Sequence, residues 1–149
     1  SALPGLRIVV MVSDGIAPNP REGLGDQLRS ISEAAAAHGV QLYALTGIGD
    51  GSDVSDLTPE RRSARTSERR FLNRGVQTVA SAAGGDAFLV IGQPDRFLKR
   101  IVLETSGIYQ LAVQLETGCD SAQEFLDVRV KVKRRGVTVR ARPLAVRER

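Results

Sequence analysis

Residues 6–15 read LRIVVMVSDG, an almost unbroken apolar run that ends abruptly in serine, aspartate and glycine. Because β-branched residues dominate it and polar residues do not alternate with them, the run predicts a strand covered on both faces, as in the middle of a parallel α/β sheet. Ligands of such sheets collect at the carboxyl ends of the strands, where we expect Asp14 on a turn that Gly15 permits. The stretch therefore predicts a binding edge without identifying what binds there.

The sequence that follows alternates between helical and strand patterns. From Asp26 to Gly39 apolar residues recur at helical spacing, and Gly39 stands where a left-handed cap would end the helix. Residues 40–46 then form a second apolar run. A strand, a helix and a strand in succession make a βαβ unit, whose right-handed crossover makes the two strands parallel.

Residues 47–66 are rich in Gly, Asp, Ser and Arg and predict a mobile insertion with at most a short helical turn at residues 58–60. A second helix is predicted at residues 68–83, a third strand at 86–91 and a third helix from Pro94. The residues expected to face inward from that last helix are Phe97, Leu98, Ile101, Val102 and Thr105.

The pattern changes after residue 106. Residues 109–115, 125–133 and 137–142 alternate with a period of two, and residues 134–136 suit a tight turn between the last two runs. We therefore predict an α/β protein with three parallel strands and flanking helices in residues 1–106. An antiparallel β extension in residues 107–149 would pack on the same domain.

Composition narrows the function classes. Of 149 residues, 42% are hydrophobic and 26% charged, which excludes wholesale disorder. Aromatic residues amount to 4%, which counts against single-strand nucleic-acid binding because that function uses aromatic stacking platforms. No apolar run approaches the length of a membrane span. The single cysteine, Cys119, does not identify the compartment.

Catalytic motifs are missing from the sequence. The nucleophile motif Gly-x-Ser-x-Gly and a phosphate-binding loop are absent, and the single histidine, His38, has no nucleophile pattern around it. Asp50, Asp53 and Asp56 lack the glycine and glutamate of a calcium loop, which favours a solvated loop. We therefore expect a protein that is not an enzyme, and a hydrolase is the weakest alternative.

Several of these pieces together resemble the von Willebrand factor type A superfamily, more closely its bacterial VWFA-related branch. They are the strand end Ser13-Asp14-Gly15, the segment GVQLY at residues 39–43, the glycine pair at 84–85 and the basic run VRVKV at 128–132. The resemblance covers nearly the whole chain, and it rests on the order and spacing of the pieces. It implies a Rossmann-like fold and a non-enzymatic, adhesion-like function in protein binding.

Members of this superfamily hold Mg²⁺ in a metal-ion-dependent adhesion site, which a partner's carboxylate completes. Asp14 matches one of its ligands by position, and Ser13 beside it is the second candidate ligand. The Asp-x-Ser-x-Ser element that supplies the other ligands does not occur in the thirteen residues before Asp14. The resemblance therefore implies the C-terminal half of a domain, without a cofactor here and with Mg²⁺ in the intact domain. Relatives with this tail are exported, so it also implies export.

Two interaction surfaces follow from these expectations. If the first strand lacks a neighbour on its outer side, its edge must be covered, so we predict a homodimer or swapped assembly through residues 6–12. The alternative function is a basic face that binds nucleic acid or an acidic polymer. Its residues are Arg129, Lys131, Lys133, Arg140 and Arg142. A solvated sheet face is the competing interpretation, which the modest net charge of +4 favours.

Overall fold

The computed structural model describes residues 5–17, 24–47, 58–109, 111 and 124–147. The elements are β1 (Arg7–Val12), α1 (Leu24–Ala37), β2 (Val40–Thr46), α2 (Pro59–Ala82), β3 (Ala87–Leu89), α3 (Asp95–Thr105), β4 (Phe125–Asp127) and β5 (Leu144–Val146). None of the helices in these ranges combines the length and apolar character that crossing a bilayer requires.

The three strands β1, β2 and β3 form a parallel sheet in that order. This confirms the predicted α/β class, the three parallel strands and the bounds of β2. Gly39 ends the turn after α1 with a φ of 63°, as expected of a left-handed cap. The central strand is β2, and its residues 43–46 are all buried.

Helices cover the two faces of the sheet unequally. On one face, Val76 and Ala80 of α2 pack against Ala44 and the partly buried Met11. On the other face, Ile101 of α3 packs with a second cluster. The buried members of that cluster from the sheet and its end are Tyr43, Leu45, Phe88 and Val90. The core therefore lies over β2 and β3, and β1 stands at its margin.

The prediction that β1 is covered on both faces is wrong for the described residues. It is an edge strand that pairs only with β2, and most of its apolar side chains are exposed. Two residues of α3 that were expected to face inward, Leu98 and Val102, are also exposed. Both errors have one cause: apolar patterning shows which residues can be buried but does not supply the layer that covers them.

The second helix begins nine residues before the predicted start, because Thr58 and Pro59 initiate a full helix and not a short turn. All residues from 58 to 71 are exposed, so no apolar stripe marks this first half of the helix. Helix-favouring alanine, arginine and glutamate sustain it instead.

The antiparallel extension is present, but its strand pairing is shorter than predicted. Phe125 pairs with Val146 and Asp127 with Leu144, at the base of a hairpin whose turn contains Gly136 with a φ of 75°. Residues 128–133 and 137–142, which the sequence predicts as strands, lie outside regular strands. Most of the predicted strand 109–115 falls outside the described residues.

Candidate functional site

The outer edge of β1 carries an exposed apolar surface. The exposed fraction is 38% for Ile8, 41% for Val10 and 64% for Val12. These three side chains share the face on which α3 lies, since Val10 is in register with Tyr43 and Val12 with Leu45. The opposite face exposes Val9 by 44%. Both faces of β1 are therefore apolar and open to solvent.

The backbone of β1 is also open on its outer side. The Arg7 amide donates to the Gly39 carbonyl at 2.8 Å, and the Ser13 amide donates to the Leu45 carbonyl at 3.0 Å. Alternate residues of a strand direct their N–H and C=O groups to opposite edges, so the odd-numbered residues pair with β2. The even-numbered ones, Ile8, Val10 and Val12, direct theirs outward, where β1 has no neighbour in the described sheet.

At the carboxyl end of β1 the predicted site residues form a local turn. The Ser13 hydroxyl donates to the Gly15 carbonyl and accepts from the Gly15 amide, each at 3.2 Å. Gly15 has a φ of 152°, and a Cβ on it would lie 2.4 Å from the Leu72 Cβ. The side chain of Asp14 is exposed. Glycine is thus required at this turn, as predicted, and Asp14 lies at the predicted edge.

The described residues at this end do not fit a metal site. A hard cation such as Mg²⁺ takes about six oxygen ligands in octahedral geometry. Asp14 supplies one carboxylate, and the Ser13 hydroxyl is already engaged by its own turn. Across the part of the chain that the structure describes, no group of three or more His, Cys, Asp or Glu side chains could hold a metal ion. Asp50, Asp53 and Asp56 lie outside the described residues.

A cluster of four charged residues and one glutamine lies at the opposite, amino-terminal end of the sheet. We name it the Arg140 cluster, and it consists of Arg140, Asp86, Glu104, Arg100 and Gln77. The Arg140 Nη2 lies 2.5 Å from the Asp86 Oδ2, and its Nε lies 2.7 Å from the Glu104 Oε2. The remaining carboxylate oxygens accept from the Arg100 Nε at 2.8 Å and from the Gln77 Nε2 at 2.7 Å. The cluster joins α2, α3, the start of β3 and the hairpin.

The electrostatics of the Arg140 cluster indicate a structural role. Burial acts to raise the pKa of Glu104, but hydrogen bonds from Arg100 and Arg140 outweigh it and the pKa is lowered. Burial, followed by the charge of Glu104, raises the pKa of Tyr43 beside it. Glu104 therefore stays ionised near neutral pH and Tyr43 stays protonated, so neither is suited to general acid or base catalysis there.

The predicted basic face is divided by this arrangement. Arg140 belongs to the cluster, and the Arg142 Nη1 donates to the carbonyls of Ala35 and Ala36 at the end of α1, at 3.3 and 3.1 Å. Arg129, Lys131 and Lys133 are exposed, and none of the ion pairs among the described residues includes them. The structure thus does not bring the five predicted cations together in one solvent-facing set.

Sequence reasoning missed Asp86 and Glu104. No motif connects them with Arg140, because the three residues come from separate elements and meet only in the folded chain. The available signal was their position: Asp86 follows a glycine pair at the start of a strand, and Glu104 lies in the last turn of a helix. His38, the other residue considered for chemistry, is exposed after α1, and Cys119 lies outside the described residues.

Comparison with known proteins found no matching family model, no matching curated protein and no matching solved structure.

Proposed function

We propose that this chain is a non-enzymatic protein-interaction module that binds a partner by pairing the partner's strand with β1. The observation that carries the proposal is the outer edge of β1, where apolar side chains on both faces accompany outward backbone groups that have no strand partner among the described residues. Strand addition to a sheet edge uses these two features together, since the backbone provides affinity and the side chains provide specificity.

The composition of this edge supports the proposal. Edge strands that are not used for binding are normally protected by lysine, proline, bulges or inward-pointing charges. Residues 8–12 contain none of these protecting residue types, and the charged residues lie only at the two ends, Arg7 and Asp14. A long apolar edge of this kind is the mark of an interaction site or of an aggregating protein.

The kinship with type A domains is part of the proposal. It is supported by the parallel order β1, β2, β3 and by Asp14 at the carboxyl end of β1, as in the C-terminal half of such a domain. Metal-dependent binding is left out, because the described residues do not fit a Mg²⁺ site. Export is the localisation that this kinship favours.

A library of extended eight-residue peptides displayed on phage tests the function. We expect the full chain to select peptides whose binding is lost in Val10→Lys, because a charge at the centre of the edge opposes strand addition. Val102→Lys is the matched control, since Val102 is exposed by 66% and belongs to α3 and not to β1. Selected peptides that bind both variants equally, or the absence of any selected peptide, would contradict the proposal.

A second candidate function is binding of an acidic polymer by the hairpin. Arg129, Lys131 and Lys133 favour it, because they are exposed and form no ion pair with another described residue. Replacing these three residues with serine should then shorten retention on heparin and reduce its salt dependence. The matched control replaces Arg61, Arg65 and Arg69 of α2 with serine, which removes the same charge. Equal effects of the two triple variants would indicate general charge attraction and exclude a hairpin site.

A further inference from the structure

The first half of α2 extends beyond the parallel sheet. The Ile16 amide, just after β1, donates to the Leu72 carbonyl at 3.3 Å, and a Cβ on Gly75 would collide with the Ile16 carbonyl oxygen. A helix that joins two parallel strands runs back from the carboxyl end of the sheet to its amino end. Residues 59–71 therefore lie beyond the carboxyl end, over a length of about 20 Å. We name these residues the arginine arm.

The positive charge of the chain is concentrated in this helix. The whole of α2 contains six arginines, two glutamates and no lysine, an excess of four positive charges. The formal net charge of the entire chain is also +4. All residues of the arginine arm are exposed, and Arg61, Arg65 and Arg69 form no ion pair with another described residue. These three charges are therefore accessible from solvent.

Arg61, Arg65 and Arg69 form a row along one side of the helix, which we name the arginine row. Successive members are four residues apart, which corresponds to a rise of about 6 Å. Arg69 and Arg65 precede the buried Val76 by seven and eleven residues, close to two and three helical turns. The row therefore continues the face of α2 that packs on the sheet, and this face changes from apolar to cationic where the helix leaves the sheet.

The charge pattern of the arginine arm differs from that of an ordinary solvated helix. Exposed polar helices are stabilised by opposite charges four residues apart, and like charges at that spacing destabilise them. The arginine row places like charges at this spacing twice in succession. Neither Glu60 nor Glu68 is followed four residues later by a basic residue. The free helix is therefore destabilised by its own charges, and a polyanion that neutralises the row would stabilise it.

The composition of the arginine arm discriminates between polyanions. A helix that enters a membrane surface needs an apolar face, but the only large apolar residue of the arm is Phe71 at its base. Phe71 is also its only aromatic residue, whereas proteins that bind single-stranded nucleic acids stack successive bases on several aromatic side chains. Arginine binds phosphate through two parallel hydrogen bonds. The arm is therefore suited to phosphates held in a regular array, as in a double helix.

The shape of the arginine arm suits the major groove of B-form DNA. That groove is about 12 Å wide and admits an α-helix, whereas the major groove of duplex RNA is too narrow. The arm is exposed on all sides, so a groove can enclose it. Arg70 follows Arg61 by nine residues, which is two and a half turns, and so lies on the opposite side of the helix. Cations can therefore reach both walls of the groove.

We infer that the arginine arm binds double-stranded DNA by lying in its major groove, with the arginine row on the phosphates of one wall and Arg70 on those of the other. This inference goes beyond the proposed function and uses none of the residues of the β1 edge. The contacts are to the phosphate backbone, which supplies affinity and a strong dependence on salt.

Removal of the arginine row tests the site, with the dissociation constant of the full chain for a fluorescently labelled DNA duplex measured by anisotropy. The variant Arg61→Gln/Arg65→Gln/Arg69→Gln should bind at least roughly tenfold more weakly near 0.1 M salt, and the slope of log affinity against log salt should fall by about three. Glutamine favours helices as well as arginine does, and circular dichroism checks that the variant keeps its helix content. An unchanged affinity and slope would overturn the inference.

The matched control for the arginine row lies in the hairpin. Arg129→Gln/Lys131→Gln/Lys133→Gln removes the same charge from exposed positions and should change the affinity for the duplex by less than about threefold. Equal losses in the two triple variants would mean attraction to net charge and overturn the site. A larger loss in the hairpin variant would support the second candidate function instead and also overturn it.

A proline in the arginine arm tests whether the helix itself is needed. Thr66→Pro breaks the helix within the arm and leaves every charge in place. Because Thr66 and its neighbours in the arm are exposed, the parallel sheet should keep its structure. Binding of the DNA duplex should weaken as much in Thr66→Pro as in the triple glutamine variant, and Thr66→Ala should bind as the original chain does. Unchanged binding in Thr66→Pro would mean that a flexible basic segment is sufficient and would overturn binding in the groove.

Two competing probes test the class of ligand. Duplex RNA of the same sequence, and vesicles of phosphatidylserine and phosphatidylcholine, should each displace the labelled DNA at least roughly tenfold less effectively per phosphate than unlabelled duplex DNA does. Equal displacement by duplex RNA would overturn binding in the major groove. Equal displacement by the vesicles would assign the arginine arm to a lipid surface and overturn DNA as its ligand. None of these outcomes changes the expectation for peptides at the β1 edge.

Discussion

The two ends of the parallel sheet differ in how their polar residues are partnered. At the amino-terminal end, Asp86 and Glu104 share Arg140 and are bonded from α2 and α3 as well. At the carboxyl end, the Ser13 hydroxyl bonds within its own turn, and Asp14 is exposed with no ion pair in the described part of the chain. Ion pairs thus join separate elements at the amino-terminal end, whereas the Asp14 carboxylate at the carboxyl end is exposed to solvent.

This difference separates stability from binding. The carboxyl ends of parallel strands are where α/β proteins bind ligands. A polar group that binds a ligand there cannot at the same time be fully bonded to other residues of the protein. At the amino-terminal end the charges instead join the hairpin to the α/β layer. We therefore expect substitutions at the amino-terminal end to change the free energy of unfolding and those at the carboxyl end to change association.

The largest effect is expected at Gly85, beside the Arg140 cluster. A Cβ on this residue would lie 1.8 Å from the Leu42 carbonyl oxygen, which is backbone and cannot rotate away. Gly85→Ala should therefore lower the free energy of unfolding by about 3 kcal/mol or more. Urea unfolding measures this loss. Gly107→Ala is the control, because nothing lies within 4 Å of a Cβ there, and a loss of equal size in it would break the comparison.

Removal of Arg140 should have the next largest effect. Arg140→Ala leaves Asp86 and Glu104 without their shared cation although their side chains are only 18% and 24% exposed. We expect a loss of about 2–3 kcal/mol in unfolding free energy. Lys131→Ala in the same hairpin removes the same charge from an exposed position and should change it by less than about 0.5 kcal/mol. Similar losses in the two variants would show that the cluster does not stabilise the fold.

Acid should weaken the amino-terminal end selectively. The pKa of Glu104 is lowered in the folded chain, so its ionised form contributes stability above the ordinary value of 4.5. That contribution is lost as the pH falls through the lowered pKa, where the folded state must take up a proton. Thermal unfolding between pH 7 and pH 3 should show a smaller decline in Glu104→Gln than in the original chain. Identical declines would show that Glu104 does not contribute to the dependence of stability on pH.

The smallest effect on stability is expected at Asp14. Asp14→Ala removes a side chain that is exposed and unpaired among the described residues, so the unfolding free energy should change by less than about 0.5 kcal/mol. The same variant should weaken binding of the selected strand-adding peptides measurably, because it removes the charge at the carboxyl end of the β1 edge. A destabilised chain with unchanged peptide binding would reverse the contrast between the two ends.

Local patterning predicted much of the parallel sheet. The apolar runs of β1 and β2, the helix between them and the cap at Gly39 are short-range features, and one βαβ crossover makes the strands parallel. The first half of α2 could not be recognised from periodicity, because residues 58–71 are exposed on every side. The predicted strands of the hairpin were too long for a related reason. Apolar and polar residues alternate in residues 128–133 and 137–142, but the regular pairing between the strands covers only residues 125–127 and 144–146.

By itself the sequence determined the strand and helix segments that build the sheet, the glycine turn after β1 and the position of Asp14 at its carboxyl end. Each of these depends on residues close together in the chain. Only the tertiary structure decided that β1 is an edge strand of the described sheet, and that Arg140 and Arg142 bond to other parts of the chain. These outcomes depend on which elements meet in space, because a covering layer and a buried ion pair are made by residues that are distant in sequence.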